Sequence, residues 1–180
     1  MDRRKLATAT LFGVLIGVVY GSLPFEIGDS LIIFQAIILS LSFIILGRGG
    51  ATYTALVNGL IETPFQLSYG AFALLVALLY GILVDIFSTL LKAKTENGIS
   101  TKRLVVSLTL STIITGLVAT FSFIALGFGT TAPLLDLYLP IVIIGVISGA
   151  LGGFLAARIW ERNLKKWFQS DARTTPPAPT

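Results

Sequence analysis

GRGGATYTALVNGLIETP, residues 47–64, decides how many times this chain crosses an apolar phase. Its apolar piece, Gly49 to Ile61, has 13 residues, which is short beside the roughly 20 a helix needs to cross an apolar layer of about 30 Å. Arg48 bounds it on one side and Glu62, Thr63 and Pro64 on the other. It is either a re-entrant segment or a crossing helix. Around it, longer apolar runs predict helix 1 at Leu6 to Leu23, helix 2 at Ser30 to Gly47 and helix 4 at Tyr69 to Leu91. The stretch from Leu104 to Leu135 is too long for one helix, and Gly127, Gly129 and Pro133 divide it near its end. Helix 5 is therefore expected at Leu104 to Leu126 and helix 6 at Leu137 to Ala157.

The basic residues choose between the two readings of residues 47–64. With six crossings and a cytoplasmic N-terminus, all 13 lysines and arginines fall on the cytoplasmic side. Arg3, Arg4 and Lys5 precede helix 1, Arg48 follows helix 2, and Lys92, Lys94, Lys102 and Arg103 lie between helices 4 and 5. Arg158, Arg162, Lys165, Lys166 and Arg173 follow helix 6. The three outer loops carry Glu26, Asp29, Glu62 and Asp136 instead. A re-entrant third segment would put Arg48 and Lys92 on opposite sides, whereas a crossing one satisfies the bias of basic residues toward the cytoplasm.

Composition sets the same frame. A mean hydropathy of +0.89, with 54% hydrophobic and 12% charged residues, leaves more apolar surface than a water-soluble globule of this size can bury. The expectation is an all-α integral membrane protein of six transmembrane helices with both termini cytoplasmic, a multi-pass protein of the cell membrane. Residues 1–160 form the helical domain, and residues 161–180 a basic, proline-rich cytoplasmic tail. The net charge of +4 belongs to the cytoplasmic membrane face, not to nucleic-acid binding. With no cysteine and no histidine, disulfides, thiolate or imidazole metal sites and histidine acid–base catalysis are excluded. Neither a metal nor a cofactor is expected.

Leu6 to Phe25 is read as helix 1 and not as a signal peptide, because it is uncharged, long enough to span, and lacks a small-residue cleavage region. Trp160, Leu164, Trp167 and Phe168 recur at helical spacing among basic residues. That pattern fits an amphipathic segment on an anionic leaflet or simply helix 6 running past the interface. Thr174 to Thr180 is expected to be disordered.

Small residues recur four apart on helix 1 (Ala9, Gly13, Gly17, Gly21) and helix 6 (Gly145, Gly149, Gly153, Ala157). Helix 5 has a weaker version in Ser107, Ser111, Thr115 and Ala119. Such stripes let a partner helix approach closely, and the partner is either inside the bundle or a second membrane subunit.

Carboxylates within apolar helices are costly, roughly 2.5 to 3.5 kcal/mol at mid-bilayer. Glu62 ends a polar stripe on helix 3 with Thr54 and Asn58, and Gln66 and Tyr69 follow in the next loop, with Tyr53, Phe65 and Phe72 nearby. Carboxylate, carboxamides and aromatic rings at one end of a bundle suit a small, planar, nitrogen-rich ligand; the plainer reading is that Glu62 sits at the wet outer interface. Asp85 lies on the small-residue stripe Ala73, Ala77, Gly81, Asp85 of helix 4 and is expected to face protein, paired with Arg48 or hydrogen-bonded to a neighbouring helix.

On these residues the chain resembles the substrate-binding (S) component of an energy-coupling-factor (ECF) vitamin transporter, over roughly Leu6 to Trp160. The helix 1 stripe is similar to that family's Ala-x-x-x-Ala docking motif, with glycine in place of the second alanine. Gly47-Arg-Gly-Gly-Ala-Thr52, leading to Asn58-Gly-Leu-Ile-Glu62, resembles the helix 3 opening and terminal glutamate of S components for the thiamine precursor hydroxymethylpyrimidine. Gly81-Ile-Leu-Val-Asp85-Ile-Phe87 resembles their helix 4, with Asp where Glu is the pattern. The resemblance implies capture of a vitamin or vitamin precursor at Glu62, Asn58, Gln66, Tyr69, Tyr53 and Phe65. It also implies a coupling surface at Ala9, Gly13, Gly17 and Gly21. The implied partners are a transmembrane coupling (T) subunit and cytoplasmic ATPase subunits in the lipid bilayer. Such a subunit is not an enzyme. The alternative from another class is a self-sufficient proton-coupled transporter using Glu62 and Asp85, although no pair of repeated halves with matching broken helices is visible. An intramembrane lipid enzyme fares worse, since Asp85 has no acidic neighbour within two helical turns.

Overall fold

The computed structural model describes residues 3–22, 31–65, 70–95, 98–127 and 134–166. The apolar runs form helices because a backbone buried among apolar groups must satisfy its own hydrogen bonds. The helices are α1 (Arg3–Ser22), α2 (Ile32–Leu46), α3 (Gly50–Glu62), α4 (Gly70–Leu90), α5 (Thr101–Ala125) and α6 (Leu134–Ile159). All six fall within a few residues of the runs predicted above.

α1, α4, α5 and α6 are long and apolar enough to cross a membrane. α2, with 15 residues, and α3, with 13, rise only about 22 and 20 Å, so by length alone neither crosses a full apolar layer.

Their arrangement explains the difference. Consecutive neighbours α1, α3, α4, α5 and α6 pack side by side in an arc, and α2 stands inside it in contact with all five. Ala36 and the unbroken run Ile38 to Ile45 of α2 are buried, while every large exposed hydrophobic of the described chain lies on or beside another helix. A helix that is apolar all round belongs in the interior. The other five present rows such as Leu11, Leu15 and Val18 on α1, or Ile143, Ile147 and Leu151 on α6, to the surroundings.

Glycine sets the helix spacing. A methyl added at Gly13 would meet Val57 Cβ at 2.6 Å, one at Gly17 would meet Ile61 Cβ at 2.8 Å, and one at Gly21 would meet the Phe65 ring at 2.6 Å. α1 and α3 therefore run parallel in a fixed register with backbones nearly touching. The same device joins α5 and α6 antiparallel, through Gly145 on Ile113, Gly149 on Thr109 and Gly153 on Val105. Gly81 of α4 seats against Ala51, Thr52 and Ala55 of α3, as the inward-facing stripe on helix 4 required.

α2 turns into α3 through Gly47, Arg48 and Gly49. Gly47 (φ 82°) and Gly49 (φ 84°) occupy the left-handed region that only glycine enters at no steric cost, and Gly50 N–H donates to Gly47 O at 3.0 Å. Between α4 and α5 the structure adds an element that periodicity did not predict. It is a two-stranded antiparallel hairpin of β1 (Lys94–Thr95) and β2 (Gly98–Ile99). Lys94 Nζ donates to Ile44 O near the end of α2 at 2.7 Å, and Ile99 packs against the core.

The C-terminal end of α6 widens into a π-helical turn, Trp160–Leu164, whose Trp160 and Leu164 also pack against the core. Helix 6 thus continues past the expected boundary. Trp167, Phe168 and the proline-rich end lie outside the described residues.

Candidate ligand site on helix α3

Helix α3 turns one polar row inward. Thr54 and Asn58 are fully buried and Glu62 is 7% exposed, and at four-residue spacing the three share a face. Thr54 is held at its start: its Oγ1 lies 2.8 Å from Ser42 Oγ of α2 and 3.2 Å from Ala9 O of α1. This places the row where α1, α2 and α3 meet.

One turn further along, the Asn58 carboxamide is enclosed, and neither Oδ1 nor Nδ2 has a hydrogen-bond partner. A carboxamide offers two donors and two acceptor lone pairs. Leaving them empty inside a helix bundle costs roughly 1–3 kcal/mol. Glu62 closes the row at the far end of α3, level with the segment of α1 between Gly17 and Gly21. The buried hydroxyl of Tyr20 belongs to that same segment.

The other expected site residues separate from the row. Tyr53 turns toward α1, where its hydroxyl is 2.8 Å from Thr10 Oγ1. Because the Thr10 hydroxyl donates to Leu6 O, Tyr53 supplies the proton. Phe65 lies beyond the end of α3, 56% exposed, and rests on Gly21. Gln66 and Tyr69 lie outside the described residues. Phe72 is remote from α3's polar face: it tilts against Phe123 at 6.2 Å and lines an apolar groove of about 400 Å³ between α4 and α5, with Leu75, Val118 and Phe121.

The stripe Ala9, Gly13, Gly17, Gly21 is covered by α3 of the same chain. Of the two partners open to the stripe, the one inside the bundle is in place, because backbone and side chains of α3 fill the space its missing Cβ atoms leave. The helix 6 stripe is filled by α5 in the same way.

Asp85 is also accounted for. Its Oδ2 accepts from Thr52 N–H at 2.8 Å and Thr52 Oγ1 at 2.6 Å, and Oδ1 accepts from Ala51 N–H at 3.2 Å. α3 begins at a left-handed glycine with no capping side chain, so its first N–H groups need an acceptor from elsewhere. Asp85 of α4 supplies it, with a negative charge at the positive end of the helix dipole. The partners are the first turn of the neighbouring helix α3, two backbone N–H groups and the Thr52 hydroxyl, and not Arg48.

Sequence reading passed over Ser42, whose polarity inside the most apolar helix was the available signal, and Gln35, two turns before it on the same face of α2. Among the described residues, no three side chains of metal-ligating type come together. What the row can do chemically is bind. It combines an unengaged carboxamide with a carboxylate one turn away, shielded from water by three helices.

No family model matches the chain, and no curated protein or solved structure matches it.

Proposed function

We propose that this chain is a membrane-embedded capture subunit that holds a small polar molecule against the inner face of α3, and that it works as the substrate-binding component of an ECF-type importer for a vitamin or vitamin precursor. The observation that carries the reading is the fully buried, unpartnered Asn58 beside buried Glu62. An amide left without partners in a packed interior is a cost that a bound ligand offsets. A planar heterocycle bearing an amino group, such as hydroxymethylpyrimidine or the corresponding ring of thiamine, offers donors to Glu62 and a donor–acceptor edge to Asn58.

In this reading all six helices cross the bilayer. The fixed register of α3 along α1 supports it, because the shorter helix runs beside its 20-residue neighbour as far as Gly21. Alternating helix directions gather the basic residues at one end, which is then cytoplasmic. With the small-residue stripe occupied, a coupling subunit would meet the opposite face of α1, at Leu11, Leu15 and Val18. Asp85, both of whose oxygens are engaged by α3, is a helix clasp and not a proton carrier.

Reconstitution of the protein alone in liposomes tests the assignment. Saturable binding of hydroxymethylpyrimidine or thiamine without accumulation, lost in Asn58→Leu, is the expected result. Accumulation driven by a proton gradient, with no other subunit present, would replace it with the self-sufficient transporter.

A further inference from the structure

Among the described residues, one end of the bundle collects many more cations than carboxylates. Twelve of the 13 basic residues lie in described segments, and the alternating helices bring them to the end of the bundle that holds the α2–α3 turn and the hairpin. Arg48, Lys92, Lys102, Arg103 and Arg162 are exposed there. The described carboxylates near them are Asp85, engaged by α3, and exposed Glu161.

Lys94 is fixed by its bond to Ile44 O, which uses one of three ammonium N–H groups and leaves the charge intact. Burial first, and the nearby Lys5 charge second, lower its proton affinity. Among the described residues, Lys5, Arg48 and Lys92 have no acidic partner. Lys5 is near enough to Lys94 for its charge to weaken Lys94's hold on its proton, and a phosphate beside two such ammonium groups would turn that repulsion into attraction. Lys5 in the first turn of α1 and Lys94 in the hairpin lie at the same end of the bundle as Trp160, a residue type suited to headgroup depth.

We infer that this end of the bundle binds the phosphate headgroups of anionic lipids, with Lys5 and Lys94 as its focus and Arg48 at its edge. The surface is independent of the α3 site and would serve whatever ligand that site takes. It orders the α1 terminus, the α2–α3 turn and the hairpin against one leaflet, bringing together the three segments on which the helix starts and ends depend.

The test is native mass spectrometry of the full chain, released from mixed phosphatidylglycerol and phosphatidylcholine nanodiscs, counting retained lipids. Wild type should retain phosphatidylglycerol several-fold over phosphatidylcholine. Lys5→Gln should lower that preference about fivefold, the effect of one cation near a charged surface. Arg48→Gln, whose side chain makes no described hydrogen bond, provides the same readout if Lys5→Gln expresses poorly. Equal retention of the two lipids, or a preference unchanged in both variants, would overturn the proposal. So would displacement of the retained lipid by millimolar inorganic phosphate, which would make this a soluble-anion site.

Discussion

Replacing Asn58 with leucine should make the ligand-free protein more stable while removing its binding function. The side chain is fully buried and neither polar atom is partnered. Its desolvation therefore costs roughly 1–3 kcal/mol that the folded bundle never recovers. Leucine has similar bulk and no polar atom, and repacking around it should cost less than about 1.5 kcal/mol. The net gain is on the order of 1 kcal/mol, or roughly 2–4 °C in Tm for a chain of this size. Thermal unfolding of ligand-stripped protein in detergent, followed by tryptophan fluorescence, measures the first half; isothermal titration with the candidate pyrimidine measures the second. A drop of several degrees would refute the reasoning, because it would mean that Asn58 is satisfied within the protein and that the polar row is scaffolding. Wild-type affinity in the leucine variant would refute it equally.

Other outcomes follow from the contacts. Asp85→Ala strips the acceptor from the Ala51 and Thr52 N–H groups and should cost about 2–4 kcal/mol; Asp85→Asn, which keeps one acceptor oxygen, should cost less, with both read by thermal unfolding. Gly13→Leu and Gly149→Leu drive bulk into backbone-to-backbone contacts and should each lose about 1–3 kcal/mol, with α1 separating from α3 and α5 from α6 in distance measurements between spin labels. Lys94 has its proton affinity lowered by partial burial and then by Lys5, so the folded state gives up that proton more readily than the unfolded one. Its contribution should therefore become more favourable as pH rises through its folded-state pKa toward the ordinary lysine value. Lys5→Gln should move the Lys94 titration, followed by NMR of labelled lysine, to higher pH.

Much of this fold is legible before any coordinates. Apolar runs broken by Gly127, Pro64 or Arg48 mark helices because hydrocarbon surroundings leave a backbone few other options, and the basic residues sort the ends. What the chain hides is which neighbour each apolar face meets. The run Ile38 to Ile45 reads alike whether lipid or five other helices surround it, and only packing shows that it is enclosed. The stripe from Ala9 to Gly21 announces a close helix contact, but its spacing carries no label separating α3 from a second subunit. Asp85 was legible as an inward-facing carboxylate, yet two of its three partners are the backbone N–H groups of Ala51 and Thr52, which have no residue signature, and the third is the Thr52 hydroxyl. The hairpin has a sequence signal in the Asn97-Gly98 pair, which favours a tight reversal. The polar row of α3 was visible from its four-residue spacing. That Thr54 is satisfied by Ser42 while Asn58 is left open depends on where α2 sits, and no helical period contains that.

The most direct test of the central claim is mass spectrometry of the small molecules released when the detergent-purified protein is denatured, with Asn58→Leu and Glu62→Ala as controls. One nitrogen-containing polar molecule, near one per chain in wild type and absent from both variants, is the result this account predicts. No released molecule even after incubation with thiamine precursors, or the same molecule in equal amount from all three proteins, would contradict a ligand site on α3.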